Sequence, residues 1–273
     1  MKKQISGTVI ARYKEQRGEG IMNTVNGLDR DNLNFNLGGL HQKILQWGAS
    51  LAGYGDVRPG LAKEFKHIPT AISLAIRHPP AESSIIRQNG VTAYTNQFPE
   101  VDNKLIVIQK KIVTYLRMQG WRALAIPPDT AQEDLRFIAR LFPLFQHKTA
   151  ATCAGLGWIG KSGLLINSRY GPRLSWATVL TDALLPVSEQ PYLKGNCGSC
   201  RKCVDICPSG AIKDEEWTRQ STTQVKIDVS RCARQLEKNY QALGRYICGL
   251  CILACPLGKR VTEESSVPKT KEG

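Results

Sequence analysis

Leu105, Ile108, Ile112 and Leu116 recur at helical spacing, which predicts an amphipathic helix over Asn103 to Gln119. Gly120 caps it, and Trp121 to Ile126 then reads as a strand that Pro127 and Pro128 end. Thr70 to Arg77 is an almost unbroken apolar run of strand length, so it predicts a buried strand. Leu40 to Trp47 predicts a helix leading into a strand near Ser50–Tyr54. Thr130 and Glu133 form a capping box that opens a helix carrying Leu135, Ile138, Leu141 and Phe142 on one face. Gly163 to Asn167 and Leu174 to Leu180 read as strands. Residues 1–36 are rich in Gly, Asn, Asp and Arg, with weak periodicity and one short strand, Gly7 to Tyr13.

From Asn196 onward the composition becomes cysteine-rich, which places a boundary near Pro186–Gln190. The expected organisation is an N-terminal extension (1–36), an α+β domain (37–186), a cysteine-rich domain (187–260) and a polar, disordered tail (261–273). Hydrophobic residues make up 42% and charged residues 22%, so a globular core is expected. No run approaches the length of a membrane helix, and no apolar stretch follows the basic N-terminus. A cytoplasmic protein without a membrane partner is therefore expected. The net charge of +14 is concentrated in residues 1–185, and it suits an anionic cofactor, an acidic partner, nucleic acid or simply a solvated surface.

The chemistry is in the nine cysteines. Cys197, Cys200, Cys203 and Cys207-Pro208 follow the C-x2-C-x2-C-x3-C-P run of bacterial ferredoxins. In that run three thiolates bind one [4Fe–4S] cluster and the fourth reaches across to another. Cys248, Cys251 and Cys255-Pro256 form a second run, with Cys232 upstream of it. The crossed pattern assigns Cys197, Cys200, Cys203 and Cys255 to one cluster, and Cys207, Cys232, Cys248 and Cys251 to the other. Zinc and structural disulfides are the competing readings, but zinc favours separated C-x2-C knuckles and a reducing compartment disfavours disulfides. Cys153 lies apart, as a packing thiol or as a reactive one.

Gly155, Leu156, Gly157, Trp158, Ile159, Gly160, Lys161 and Ser162 match the Walker A pattern, with a G-x-G-x-x-G inside it. Both motifs need a strand before the loop and a helix after it. Here helical composition precedes it (His147 to Ala154) and a strand follows, so nucleotide binding is not the expected role.

The loop, then Leu164 to Asn167, then Leu180-Thr181-Asp182, then the two Cys-Pro runs with lone Cys232 between them, resemble epoxyqueuosine reductase and its relatives across roughly residues 40–260. Related architecture occurs in reductive dehalogenases. The resemblance implies a nitroreductase-like, corrinoid-binding α+β domain followed by a two-cluster ferredoxin-like domain. It implies electrons from a redox protein donor passing through two [4Fe–4S] clusters to cobalamin, for reduction of an unknown small-molecule or macromolecular substrate. It also implies that residues 155–161 contact the cofactor, and that Lys148, Lys161 and Arg173 are available to anionic or amide groups.

Two departures stand against queuosine chemistry. The acidic proton donor of the family falls on Leu141, with Glu133 and Asp134 the nearest acids, and the tRNA-holding region that follows the clusters is not matched. tRNA is therefore a doubtful partner. His147 is the candidate proton donor, against the plainer reading of a surface or helix-capping histidine. Tyr94 is a second candidate, more simply read as packed, and His41, His67 and His78 show no ligand spacing. The alternative function is an electron-transfer or reactivating protein that serves a partner enzyme. A third reading, an RNA-binding redox protein, rests on charge alone.

Overall fold

The computed structural model describes residues 24–25, 28–29, 38–80, 85–94, 98–126, 128, 145–220 and 227–258. The expected strand at Gly7–Tyr13, the capping box and helix after Thr130, and the tail from Val261 lie outside these residues. The chain divides into two compact units, Met1–Leu37 and Gly38–Gly273. The first contains a two-residue ladder between β1 (Thr24–Val25) and β2 (Leu28–Asp29).

The second unit is built on an antiparallel sheet of four strands: β3 (Leu51–Asp56), β4 (Thr70–Arg77), β7 (Ala123–Ile126) and β10 (Leu174–Thr181), in the order β3-β4-β10-β7. Thr70 to Ala75 are all buried, as an apolar run in a central strand covered on both faces must be. On one face Ala71 and Leu180 pack with Val57, Ile126, Phe145, Ala150 and Cys153. By strand alternation Ile72, Leu74, Ala177 and Val179 belong to the other face, and they are equally buried.

Helix α1 (Gly38–Gln46) buries Leu40 and Ile44, one turn apart, and ends at Gly48 in the left-handed region. Helix α2 (Phe98–Met118) buries Val101, Leu105, Ile108, Ile112 and Leu116 and packs on β10, β7 and β4. It begins earlier than its apolar stripe, because Pro99 in the first turn needs no intrahelical N–H partner. Gln109 is also fully buried, and its amide donates to the carbonyl oxygens of Ile126 and Thr178 (2.8 Å for the latter). Ile126 and Thr178 face each other across β7 and β10, so one side chain ties both strands to α2.

The hairpin β5 (Ile85–Gln88) and β6 (Val91–Tyr94) turns at Asn89-Gly90, both with positive φ, the geometry of a two-residue I′ turn. Helix α3 (His147–Cys153) lies against β3, β4 and β10. It fits because β3 carries glycines: a Cβ on Gly55 would sit 2.6 Å from the Ala154 nitrogen.

Candidate iron-sulfur centre and its bracing loop

Short helices present the cysteines. Cys203 lies on α4 (Lys202–Asp205), Cys232 in the first turn of α5 (Val229–Leu243), and Cys251 on α6 (Leu250–Ala254). Asp228 caps α5 by accepting the Arg231 amide, and Gly244 ends it in the left-handed region. Gly249, also left-handed, lets the chain turn straight from Cys248 into α6. All nine cysteines are free thiols; eight are half-buried and Cys153 is buried.

Neighbouring sulfurs act on five of the eight thiols. Burial raises the Cys203 thiol, and the nearby Cys197, Cys200 and Cys255 sulfurs raise it further. Cys255 feels Cys197 and Cys200 in turn. Burial also raises Cys232, with Cys248 and Cys207 adding to it. Cys251 is pushed up to about 12, first by burial, then by Cys248, Cys203 and Cys232. Cys203, from the first cysteine run, therefore lies near a cysteine of the second. Such thiols are inert until a metal displaces the proton. Cys207 differs. Burial pushes it up, but hydrogen bonds from the Ser209 hydroxyl and from the amides of Ala211, Ser209 and Ile212 outweigh that and hold it below its ordinary value. Among the described residues no three His, Cys, Asp or Glu converge as a single metal ion would require.

Arg173 joins this region to the sheet. It is buried next to the start of β10, and its guanidinium donates to the carbonyl oxygens of Leu257 (2.6 Å), Leu253 and Cys255 (both 3.3 Å). Tyr94 at the end of β6 donates its N–H to the Cys248 carbonyl oxygen. Its hydroxyl lies 3.1 Å from His78 Nδ1, and His78 Nε2 lies 3.2 Å from Ser175 Oγ. Burial, then the Arg173 charge, holds His78 down at about 4. Sequence reasoning treated His78 as an ordinary residue, and no spacing signal connects it to Tyr94 and Ser175.

The glycine loop follows α3 and continues into a short pair of strands, β8 (Trp158–Ile159) and β9 (Leu165–Ile166). Helix precedes loop, the reverse of a phosphate-binding loop. Its glycines serve close packing within the chain: a Cβ on Gly157 would lie 2.3 Å from the Ile166 oxygen, and one on Gly155 would lie 2.7 Å from Ser188 Oγ. A Cβ on Gly160 would lie 2.7 Å from Ile166 Cγ1 and 3.3 Å from Cys197 Sγ, so the loop touches the first cysteine run. Leu156 and Ile159 are half-buried, and Trp158 and Lys161 are buried. The Lys161 ammonium donates to the Gly198 carbonyl oxygen at 2.7 Å and lies 2.9 Å from Asp214 Oδ1. Asp214 also pairs with Arg201.

His147 opens α3, half-buried, with Nδ1 at 2.9 Å from Thr178 Oγ1. Lys148 donates to the Gly163 carbonyl oxygen. Cys153 packs in the core and its thiol is raised chiefly by burial. Glu133, Asp134 and Leu141 lie outside the described residues.

Residues 196–258 match the family described as a 4Fe-4S double cluster binding domain. Over 134 residues the chain is 33% identical to the epoxyqueuosine reductase of Atelocyanobacterium thalassa (isolate ALOHA), covering 45% of this chain and 40% of that one. It is 34% identical over 122 residues to the epoxyqueuosine reductase of Escherichia coli (strain K12), covering 42% of this chain and 31% of that one. The matched stretch is thus less than half of these relatives' length. Among solved structures, the epoxyqueuosine reductase of Streptococcus thermophilus superposes with a TM-score of 0.54 at 20% identity, over 83% of this chain and 67% of that one. A reductive dehalogenase whose structure suggests a mechanism for B12-dependent dehalogenation superposes with a TM-score of 0.54 at 18% identity, over 89% of this chain and 36% of that one. These two likenesses establish a shared mixed helix-and-sheet fold. The chain is thus similar to epoxyqueuosine reductases over the matched stretch, and its residues 196–258 match a 4Fe-4S double cluster binding domain.

Proposed function

We propose that the protein is an oxidoreductase whose residues 187–260 hold two [4Fe–4S] clusters. Cys197, Cys200, Cys203 and Cys255 hold one, and Cys207, Cys232, Cys248 and Cys251 hold the other. The carrying observation is the match of residues 196–258 to a 4Fe-4S double cluster binding domain, and the crossed assignment is supported by Cys255 feeling Cys197 and Cys200, from the other run, while Cys207 acts on Cys232 and Cys248. A cubane asks for four thiolates at its corners, and each set supplies four. When bound, such clusters pass single electrons. The chain supplies the thiolates, the amide donors around Cys207 and the Arg173 tie to the second run. The test is EPR with iron and sulfide analysis of the anaerobically reconstituted protein and its Cys→Ser variants. C203S and C255S should lose one signal, and C207S and C248S the other. Loss of the same signal from C255S and C251S would overturn the assignment.

The finer reading assigns residues 37–186 to a nitroreductase-like domain that brings a second redox group and the substrate together. A corrinoid acceptor is supported by the fold shared with the reductive dehalogenase whose structure suggests B12-dependent dehalogenation. Residues 155–161 do not fit as its cradle, because their glycines are packed against the chain and the Lys161 ammonium is held by Asp214 and Gly198. The substrate class is a compound cleaved reductively, as the relatives' names indicate for epoxides and halides. His147 lies at the helix start with its ring fixed by Thr178, and is the proton donor in this reading. Titration with cob(II)alamin followed by EPR tests the acceptor, with loss of the axial nitrogen splitting expected on binding.

The electron-transfer alternative is favoured by one observation. Helix α5, which carries Cys232, exposes Val229 and Tyr240, and Tyr240 stacks on exposed Tyr246 with ring centroids 4.4 Å apart. A free-cobalamin spectrum beside two intact cluster signals would make this reading the conclusion.

A further inference from the structure

We infer that Lys161, the lysine of the Walker-like loop, is a positioning residue for the first iron–sulfur cluster: it clamps the Cys197–Cys200 turn and holds a positive charge beside it. The inference rests on the cluster assignment proposed above. Its side chain is only 7% exposed, and a lysine so buried needs a partner. It has two, the Asp214 carboxylate and the Gly198 carbonyl oxygen. Gly198 sits between Cys197 and Cys200, in the left-handed conformation, so the contact falls inside the metal-binding turn.

The same turn is gripped from its donor side. Glu216 Oε1 accepts the amides of Cys197 (3.0 Å) and Gly198 (2.7 Å). One ammonium and one carboxylate thus fix the carbonyl and the two amides of a short loop. Asp214, which holds Lys161, itself has positive φ and pairs with Arg201, the residue after Cys200. The glycine before Lys161 packs on Cys197 Sγ, so the whole loop leans on this turn. The Walker-like spacing therefore reflects close packing and a buried ion pair, with the lysine turned toward the cysteine run.

Net charge and hydrogen bonding around the sulfurs set the reduction potential of such a cluster. Lys161 favours the more negative, reduced state, and Asp214 opposes it. The two residues should then shift the potential in opposite directions when neutralised, which a merely structural role would not do.

The experiment is an anaerobic EPR-monitored redox titration of the full, reconstituted chain and of K161M, K161R and D214N. Wild-type protein lacking [4Fe–4S] iron and sulfide would sink the cluster reading itself before any variant is compared. The signal followed is the one that C255S removes. Its midpoint should move to more negative potential in K161M, stay near wild type in K161R and move to more positive potential in D214N, with the second signal unmoved. Loss of this cluster from K161M but not from K161R also supports the clamp. Equal midpoints in wild type, K161M and D214N would overturn the inference. So would ATP binding that K161M abolishes, since the lysine would then serve a phosphate.

Discussion

Tyr94 donates its backbone N–H to the Cys248 carbonyl oxygen at 2.7 Å, so the last residue of a hairpin strand is hydrogen-bonded to a cysteine of the second run. The following residue, Gly249, is pressed onto the same tyrosine: a Cβ there would lie 2.7 Å from Tyr94 Cβ and 3.0 Å from its carbonyl oxygen, at a φ of +65°. Gly249→Ala should therefore cost about 2 kcal/mol or more, from the left-handed backbone and the clash together. It should weaken the second EPR signal and spare the first. Iron content with EPR after reconstitution reads this.

Gln109 supplies hydrogen bonds to the carbonyl oxygens of both Ile126 and Thr178. Gln109→Leu keeps the volume of the site but leaves the Ile126 and Thr178 carbonyl oxygens without these bonds. Loss of about 2–3 kcal/mol is expected from the buried acceptors. Urea denaturation gives the number, and an unchanged midpoint would contradict it.

His78 gives the protein an acid-sensitive step. Its folded value lies at about 4, below the ordinary 6.5, so the unfolded chain takes up the proton first as pH falls. The stability from a neutral His78 is complete above about pH 6.5 and is lost as pH falls toward about 4, by about 3 kcal/mol in the limit. His78→Gln should flatten the pH dependence of the urea midpoint between pH 6.5 and 4.5. Parallel curves for wild type and variant would remove His78 as its source.

Cys153 sits in the apolar cluster with Val57, Phe65 and Leu180. Cys153→Ala should leave iron and sulfide content unchanged and cost about 1 kcal/mol of stability from the small cavity. A drop in iron would make it a ligand after all.

What was legible in the sequence was what nearest neighbours along the chain determine. Thr70–Arg77 has the bounds its apolar run predicts, and the reversed order around Gly155 follows from composition on either side. The Asn89-Gly90 hairpin carried a strong local signal that the reading missed, because Ile85 and Ile86 stand side by side and break the alternation expected of a strand. Helix α5 was missed for a related reason: its fifteen residues are mostly polar, and one side of it faces solvent. Contacts between distant residues left no pattern at all. The Ser175 hydroxyl meets His78 from 97 residues away, and Lys161 meets Asp214, which lies beyond the whole first cysteine run.

The strand order has a consequence for how the chain matures. Among the described residues β7 pairs with β10 alone, and β10 reaches back to β4 so that Thr181 faces Thr70. During synthesis β3 and β4 can zip together early, while β7 waits unpaired until residues 174–181 have been made. Closing so long a loop is slow compared with forming a local hairpin. The sheet is therefore completed just before the cysteine runs emerge, and Arg173, immediately before the last strand to arrive, is in place to receive them.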